Sequence, residues 1–283
     1  MSVLFDVPSI GSKDSDFGQR GPTCWYYASK MLLKFHHKLD NKSDDAYEQW
    51  KTLHEIRQVF TDVGGDNVEK MVEELKRRLK KMDSYEKALK LLQGKEHLNQ
   101  KQEDSLKLLK DIPIAARKQR IADAIDKLDD EANEGLARLN LLQSIVPDAG
   151  FHKINREQYA KPDDVLGLLE RWGPFYTGGT VVATRENIKP TGKLVGTTPI
   201  VSVEEFKSTG SHAIVVIGAS PTVVYYKDPQ KTDVIRSMDL KTFHKGLDQE
   251  ASDFLIAIYC EDGWDVNEAN CIHMRHATLG VPG

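Results

Sequence analysis

The run SHAIVVIGASPTVVYYKDPQ, residues 211–230, holds two short β-branched and aromatic stretches on either side of Gly218 to Pro221. AIVVI and TVVYY read as strands, and the Gly-Ala-Ser-Pro segment reads as the turn between them. A hairpin centred on Ser220 sets His212 opposite Asp228. A histidine opening one strand would then face a carboxylate closing the next. That arrangement holds an imidazole in one tautomer, as the orienting group of a nucleophile–base pair does.

More strand-like runs surround this hairpin. RWGPFYTGGTVVA, TPIVSV and DFLIAIY are short, apolar or β-branched, and bounded by Gly, Pro, Ser or Asp. Ahead of them, KPDDVLGLLERWG has the spacing of a short amphipathic helix. Residues 148–283 therefore read as a sheet with a helix before it.

The preceding block, residues 41–147, is dense in Lys, Glu, Asp, Leu and Gln and poor in β-branched residues. Val68, Met71, Leu75, Arg78, Met82, Tyr85, Leu89 and Leu92 step by three and four, with Arg78 the one polar position. Ile121, Ile125, Leu128, Ala132, Gly135, Leu139, Leu142 and Val146 form a second series, and Gly94 and Pro113 interrupt between the two. Two such segments with a broken connection predict a long antiparallel helical hairpin or small bundle. Its charges read as a solvated outer face.

Residues 1–40 hold a loop and then a helix. Gly21-Pro22-Thr23 breaks the chain, and Thr23 is placed to cap the first turn. Trp25, Ala28, Leu32, Phe35 and Leu39 then give one apolar face. The expected organisation is an α+β domain made of residues 1–40 and 148–283, with residues 41–147 inserted into it.

Cys24 falls at the N-terminus of the first helix. There the positive end of the helix dipole, together with an imidazolium from His212, favours a thiolate. Gln19, five residues earlier, supplies an amide NH₂ for a developing oxyanion, with the Cys24 backbone N–H as its companion donor. A lone cysteine on a helix is more often structural; the Gln, Trp, His and Asp around this one favour a nucleophile.

Gln19, Cys24-Trp25 opening a helix, His212 opening a strand, and Asp228-Pro229 closing the next are similar to the papain-like cysteine peptidases. The nearest pattern is the bacterial branch, which includes double-glycine bacteriocin-processing peptidases and secreted effector peptidases. RWGPFY resembles that branch's entry into its sheet. The resemblance covers about residues 15–40 and 148–245. It implies a papain-like fold with a long helical-hairpin insertion, and a Cys24–His212–Asp228 triad with Gln19 as oxyanion donor. It also implies a substrate groove at Trp25, Gly21 and Ser211, with small or Gly-Gly residues before the cut bond. The third triad member is Asp rather than the Asn of plant and lysosomal members. The insertion is longer than that branch usually carries.

A net charge of −4 gives no electrostatic case for nucleic acid. No apolar run approaches the roughly 18 residues of a membrane span. The first residues lack a basic start followed by an apolar run, and Cys24, Cys260 and Cys271 are the three cysteines. A chain made in a reducing cytoplasm is expected, reaching any target cell by a signal-independent route. His36 and His37 read as helix-end residues that suit the dipole. Cys260, Cys271, His273 and His276 match no standard zinc spacing, so neither metal nor cofactor is expected. Gly64-Gly65 and Gly178-Gly179 read as loops. The expected partners are a protein substrate and a cognate inhibitor protein. Two other readings compete: a Cys-dependent deamidase or transglutaminase, and a non-catalytic coiled-coil adaptor.

Overall fold

Two compact units make up the mixed α+β chain: Met1–Ala46 with Pro147–Gly283, and Tyr47–Val146. The computed structural model describes residues 2–9, 24–39, 48–63, 67–131, 151–154, 156–179, 188–204, 212–247 and 255–259.

The first unit is built on a sheet. Its strands are β1 (Val3–Leu4), β2 (Phe151–Ile154), β3 (Phe175–Gly179), β4 (Ile188–Val195), β5 (Thr198–Val203), β6 (His212–Ala219), β7 (Val223–Asp228), β8 (Lys231–Asp239) and β9 (Leu255–Tyr259). They run in the order β2-β9-β3-β6-β7-β8-β5-β4, with β1 pairing to β6 beyond the end of β3. Every pairing is antiparallel except β5 with β8. All of β6 is buried, as its unbroken apolar run requires when both faces of a strand are covered.

Helix α1 (Cys24–Leu39) packs on β6 and β3. Trp25, Ala28, Leu32 and Phe35, the expected face, are buried, and so are Met31 and Leu33. A helix apolar on so much of its surface belongs in a core. Phe35 meets Phe5 edge-on with ring centroids 5.8 Å apart, which ties the first residues of the chain to this helix.

A second helix of this unit, Pro162–Trp172, packs on β6. Val165, Leu168, Leu169 and Trp172 form its buried stripe. Pro162 stands at its start, Asp163 and Asp164 suit the dipole, and Gly173 at φ 75 ends it. A short helix after β8, Leu240–Leu247, packs on β7 and β8.

The second unit holds four helices among the described residues: α2 (Glu48–Val63), α3 (Val68–Gln93), α4 (Gln100–Lys110) and α5 (Ile114–Glu131). Of the helical hairpin or small bundle expected from two apolar series, the described residues form the small bundle rather than a two-helix hairpin. The first series is α3, which buries Met71, Leu75 and Met82, and the start of the second is α5, which buries Ile121, Ile125 and Leu128. The rest of the second series, from Ala132, and Gly64-Gly65 lie outside the described residues. Helix α2 adds Ile56, Val59 and Phe60 to the same core, while α4 buries none of its residues. Asn67 caps α3 by accepting from the Lys70 amide at 2.9 Å, and Asn99 with Gln102 closes a capping box on α4.

Arg78, the polar position in the first series, has its reason in this core. Glu55 on α2 is buried, and Arg117 on α5 donates to it at 2.8 Å while Arg78 lies 3.8 Å from it. Arg78 also donates to Glu74 at 3.0 Å and to Gln58 at 3.2 Å.

Candidate active site

The hairpin that sequence placed at Ser220 has a different register. Val215 pairs with Lys227 and Val216 with Tyr226, but Gly218 pairs with Tyr225 and Ala219 with Val224. Ile217 is therefore an extra residue on β6, a β-bulge. Gly218 belongs to the strand, not the turn. The turn is Ser220–Thr222, where the Ser220 amide donates to the Val223 carbonyl at 2.7 Å and its hydroxyl accepts from the Val223 amide at 3.0 Å.

His212 and Asp228 are consequently not direct cross-strand partners, yet their side chains meet. Extending the Val215–Lys227 pairing one step aligns Asp228 with Ile214, and His212 is the diagonal neighbour on that same face. His212 Nε2 donates to Asp228 Oδ1 at 3.0 Å. Without the bulge, the Gly218–Tyr225 register would align Asp228 with Val215 and send His212 to the other face. The bulge is what lets this strand pair form the contact.

Asp228 is gripped from three sides. Besides His212, the Gln230 amide donates to Oδ1 at 2.7 Å, and Arg236 Nη1 donates to Oδ2. Arg236 is opposite Tyr226 across the β7–β8 pair, and the register shifts between Tyr226 and Asp228, which pairs with Lys231, so Arg236 reaches the carboxylate from the other flank across an irregular stretch. Burial alone would raise the Asp228 pKa, but the His212 hydrogen bond, His212 and Arg236 charges and the Gln230 amide hold it below the ordinary carboxylate range.

Cys24 is the first residue of α1, with 4% of its surface exposed. Its thiol hydrogen-bonds His212. With Nε2 donating to Asp228, Nδ1 is the ring nitrogen left for that contact. Burial opposes a charged imidazole, but the bonds to Asp228 and Cys24 outweigh it and push His212 up to about 9. Helix start, thiol, imidazole and carboxylate thus lie in one chain of contacts. Such a chain can transfer a thiol proton to the ring and hold the resulting ion pair.

The other expected site residues fare variously. Trp25 is fully buried and meets Tyr26 edge-on at 6.1 Å, so it serves the core and presents no surface to a substrate. Gln19, Gly21, Thr23 and Ser211 lie outside the described residues, as do Cys260, Cys271, His273 and His276. Gly178 and Gly179 are not a loop. They end β3, where Gly178 pairs with Ala213 and Gly179 with His212 itself. Among the described residues, no cluster of three His, Cys, Asp or Glu could hold a metal ion.

Sequence reasoning missed Arg236, the Gln230 amide and the bulge. Two of these left signals. A basic residue among Val234, Ile235 and Met238 in TDVIRSMD marks a charge inside an apolar strand, which needs a buried partner. Asp-Pro-Gln predicts an aspartate that accepts from the amide two residues on, because Pro229 has none. Comparisons of the chain with protein-family models, with curated proteins and with solved structures give no match.

Proposed function

We propose that the chain is a cysteine endopeptidase of papain-like architecture, working through Cys24, His212 and Asp228. The observation that carries this reading is the contact chain itself: a thiol at a helix start bonded to an imidazole whose far nitrogen rests on a buried carboxylate. Helix α1 lying on the strand that bears the histidine, within an antiparallel run β3-β6-β7-β8, supports the papain-like architecture.

In this reading the Cys24 thiolate attacks a peptide carbonyl carbon and forms a C–S bond, and the carbonyl oxygen gathers negative charge. The Cys24 amide at the open start of α1 and the Gln19 side chain are the donors for that oxygen. The tetrahedral adduct collapses with cleavage of the C–N bond as protonated His212 gives its proton to the leaving amine. The neutral imidazole then takes a proton from water, whose oxygen attacks the thioester. Breaking the C–S bond returns the thiolate beside an imidazolium. Asp228 stays ionised throughout and fixes the ring.

Substrates are intracellular proteins with small residues before the cut bond, and the chain acts as an effector held in check by a cognate inhibitor in its producer. Expression of wild type and Cys24→Ala in target cells, with new protein N-termini mapped by mass spectrometry, tests the reading. New termini that depend on Cys24 support it. Cys24-dependent Gln-to-Glu changes without new termini would replace it with a deamidase, and neither change would leave a non-catalytic adaptor.

A further inference from the structure

Arg236 is 4% exposed and spends Nη1 on the carboxylate that holds His212. A buried guanidinium is costly unless it is paired, and one bound to Asp228 changes what that carboxylate does to its histidine. We propose that Arg236 is a positioning residue of the site: by taking Asp228 Oδ2 it aims Oδ1 at His212, keeps the carboxylate ionised, and limits how firmly that carboxylate holds the imidazolium proton. The inference rests on the Cys24–His212–Asp228 reading and adds a fourth member to it.

The charge count supports this. Thiolate, imidazolium and carboxylate alone would leave one uncompensated negative charge among largely buried side chains. Arg236 brings the buried set to neutrality in both of its states, the ion pair and the neutral thiol–imidazole pair. Proton transfer between Cys24 and His212 conserves the net charge with or without Arg236; what Arg236 changes is that the conserved value is zero rather than −1. A carboxylate shared between two cations also attracts each less exclusively. His212 must surrender its proton to the leaving amine, so a carboxylate already shared with Arg236 suits the task.

The titratable and charged groups acting on this set come from three elements: Asp228 and Tyr226 from β7, His212 from β6 and Cys24 from α1. From β5, Val201 is the residue opposite Arg236, and it is apolar. Removing one positive charge from this set raises the pKa of every remaining member.

The test is the rate of iodoacetamide alkylation at Cys24 of the full chain, read on its peptide by mass spectrometry from pH 4 to 10. Wild type should react well below the ordinary thiol range, and His212→Ala should abolish that reactivity. Arg236→Met should shift both the acid and the alkaline limb of the Cys24 profile upward by about one pH unit. Arg236→Lys, which keeps the charge, should bring both limbs back toward wild type. Should Arg236→Met not fold, Arg236→Gln carries the same test, since it offers Asp228 a donor without charge. A neutral variant whose rate falls with both limbs unmoved overturns the role of Arg236 and leaves the triad standing. A wild-type profile indistinguishable from His212→Ala overturns the triad itself.

Discussion

His212 Nε2 lies 3.0 Å from Asp228 Oδ1 because the bulge at Ile217 sets Asp228 beside Ile214 rather than Val215. The carboxylate is held between His212 on β6 and Arg236 on β8.

Asp228→Asn bears on both catalysis and stability. An amide keeps a hydrogen bond to the ring, as the Asn of plant and lysosomal members does, but no longer neutralises Arg236 beside it, so peptide cleavage should fall, by less than the roughly 10⁴-fold of a serine–histidine triad. The change also leaves Arg236 as a buried charge without its counter-ion, at a cost of about 3–5 kcal/mol in chemical denaturation. Adding Arg236→Met to Asp228→Asn should recover much of that stability. A double variant no more stable than Asp228→Asn would show that the two side chains do not share one network.

The pH dependence of folding follows from the same contacts. His212 is raised from its ordinary value of 6.5 to about 9, so the native state holds its proton where the unfolded chain has lost it. Its contribution is complete below pH 6.5 and disappears as pH rises through about 9. Asp228 is shifted downward, so its contribution is present above the ordinary value of 3.8 and lost on acidification below it. His212→Gln should therefore destabilise the chain most at pH 5–6, on the order of 2 kcal/mol, with little left at pH 9. Urea midpoints at several pH values check this, and a deficit that grows with pH would contradict it.

How much of this was legible in the sequence depended on the range of the interaction. The helix opening at Cys24 was readable from a local break and an apolar period, and α3 from its three–four spacing. The approach of His212 to Asp228 was readable because one turn joins their strands. Their register was not, because a bulge leaves no mark in an apolar run such as AIVVIG, where every residue suits either face. Arg236 and Glu55 were passed over for a common reason. Each is buried, and its partner comes from another element, so spacing within its own segment names no counter-ion. Trp25 was legible as part of the apolar face of its helix, and packing buries the ring completely.

Gly218 marks where the first strand of the chain closes on β6. A Cβ there would lie 2.5 Å from the Val3 carbonyl oxygen and 2.9 Å from the Leu4 Cα, both backbone atoms that cannot swing aside. Gly218→Ala should push β1 off the sheet and weaken the bond from the Phe5 amide to the Ile217 carbonyl, 2.8 Å in the native chain. The loss should be about 1–3 kcal/mol, with faster hydrogen exchange concentrated at Phe5. Lys227 gives an independent reading, since its Nζ donates to Val7 O at 2.6 Å and Ser9 Oγ at 3.0 Å. Burial lowers its pKa to about 8, and displacing the segment should return it toward the ordinary lysine value. Unchanged exchange at Phe5 in Gly218→Ala would mean that the strand accommodates the methyl group.

The helical unit carries its own test in Glu55. Its side chain is 6% exposed and accepts from Arg117 at 2.8 Å, with Arg78 3.8 Å away, so one carboxylate on α2 links α5 and α3. Glu55→Gln keeps the shape and loses the charge, leaving the partly exposed Arg117 and Arg78 guanidinium groups facing an amide. Arg78 retains Glu74 at 3.0 Å and Asp62 at 2.5 Å, whereas Glu55 is the acidic partner of Arg117 in this core. The expected loss is about 1–3 kcal/mol in denaturant unfolding of the full chain, because Arg117 is partly exposed, felt at helices α2, α3 and α5. Glu86→Gln is the control. It removes a carboxylate bound by Lys90 and Lys118 on an exposed surface, where solvent screens the pair, so the midpoint should stay in place. If Glu55→Gln behaves like that control, the three helices are held by their apolar stripes alone, and the polar position at Arg78 needs another explanation.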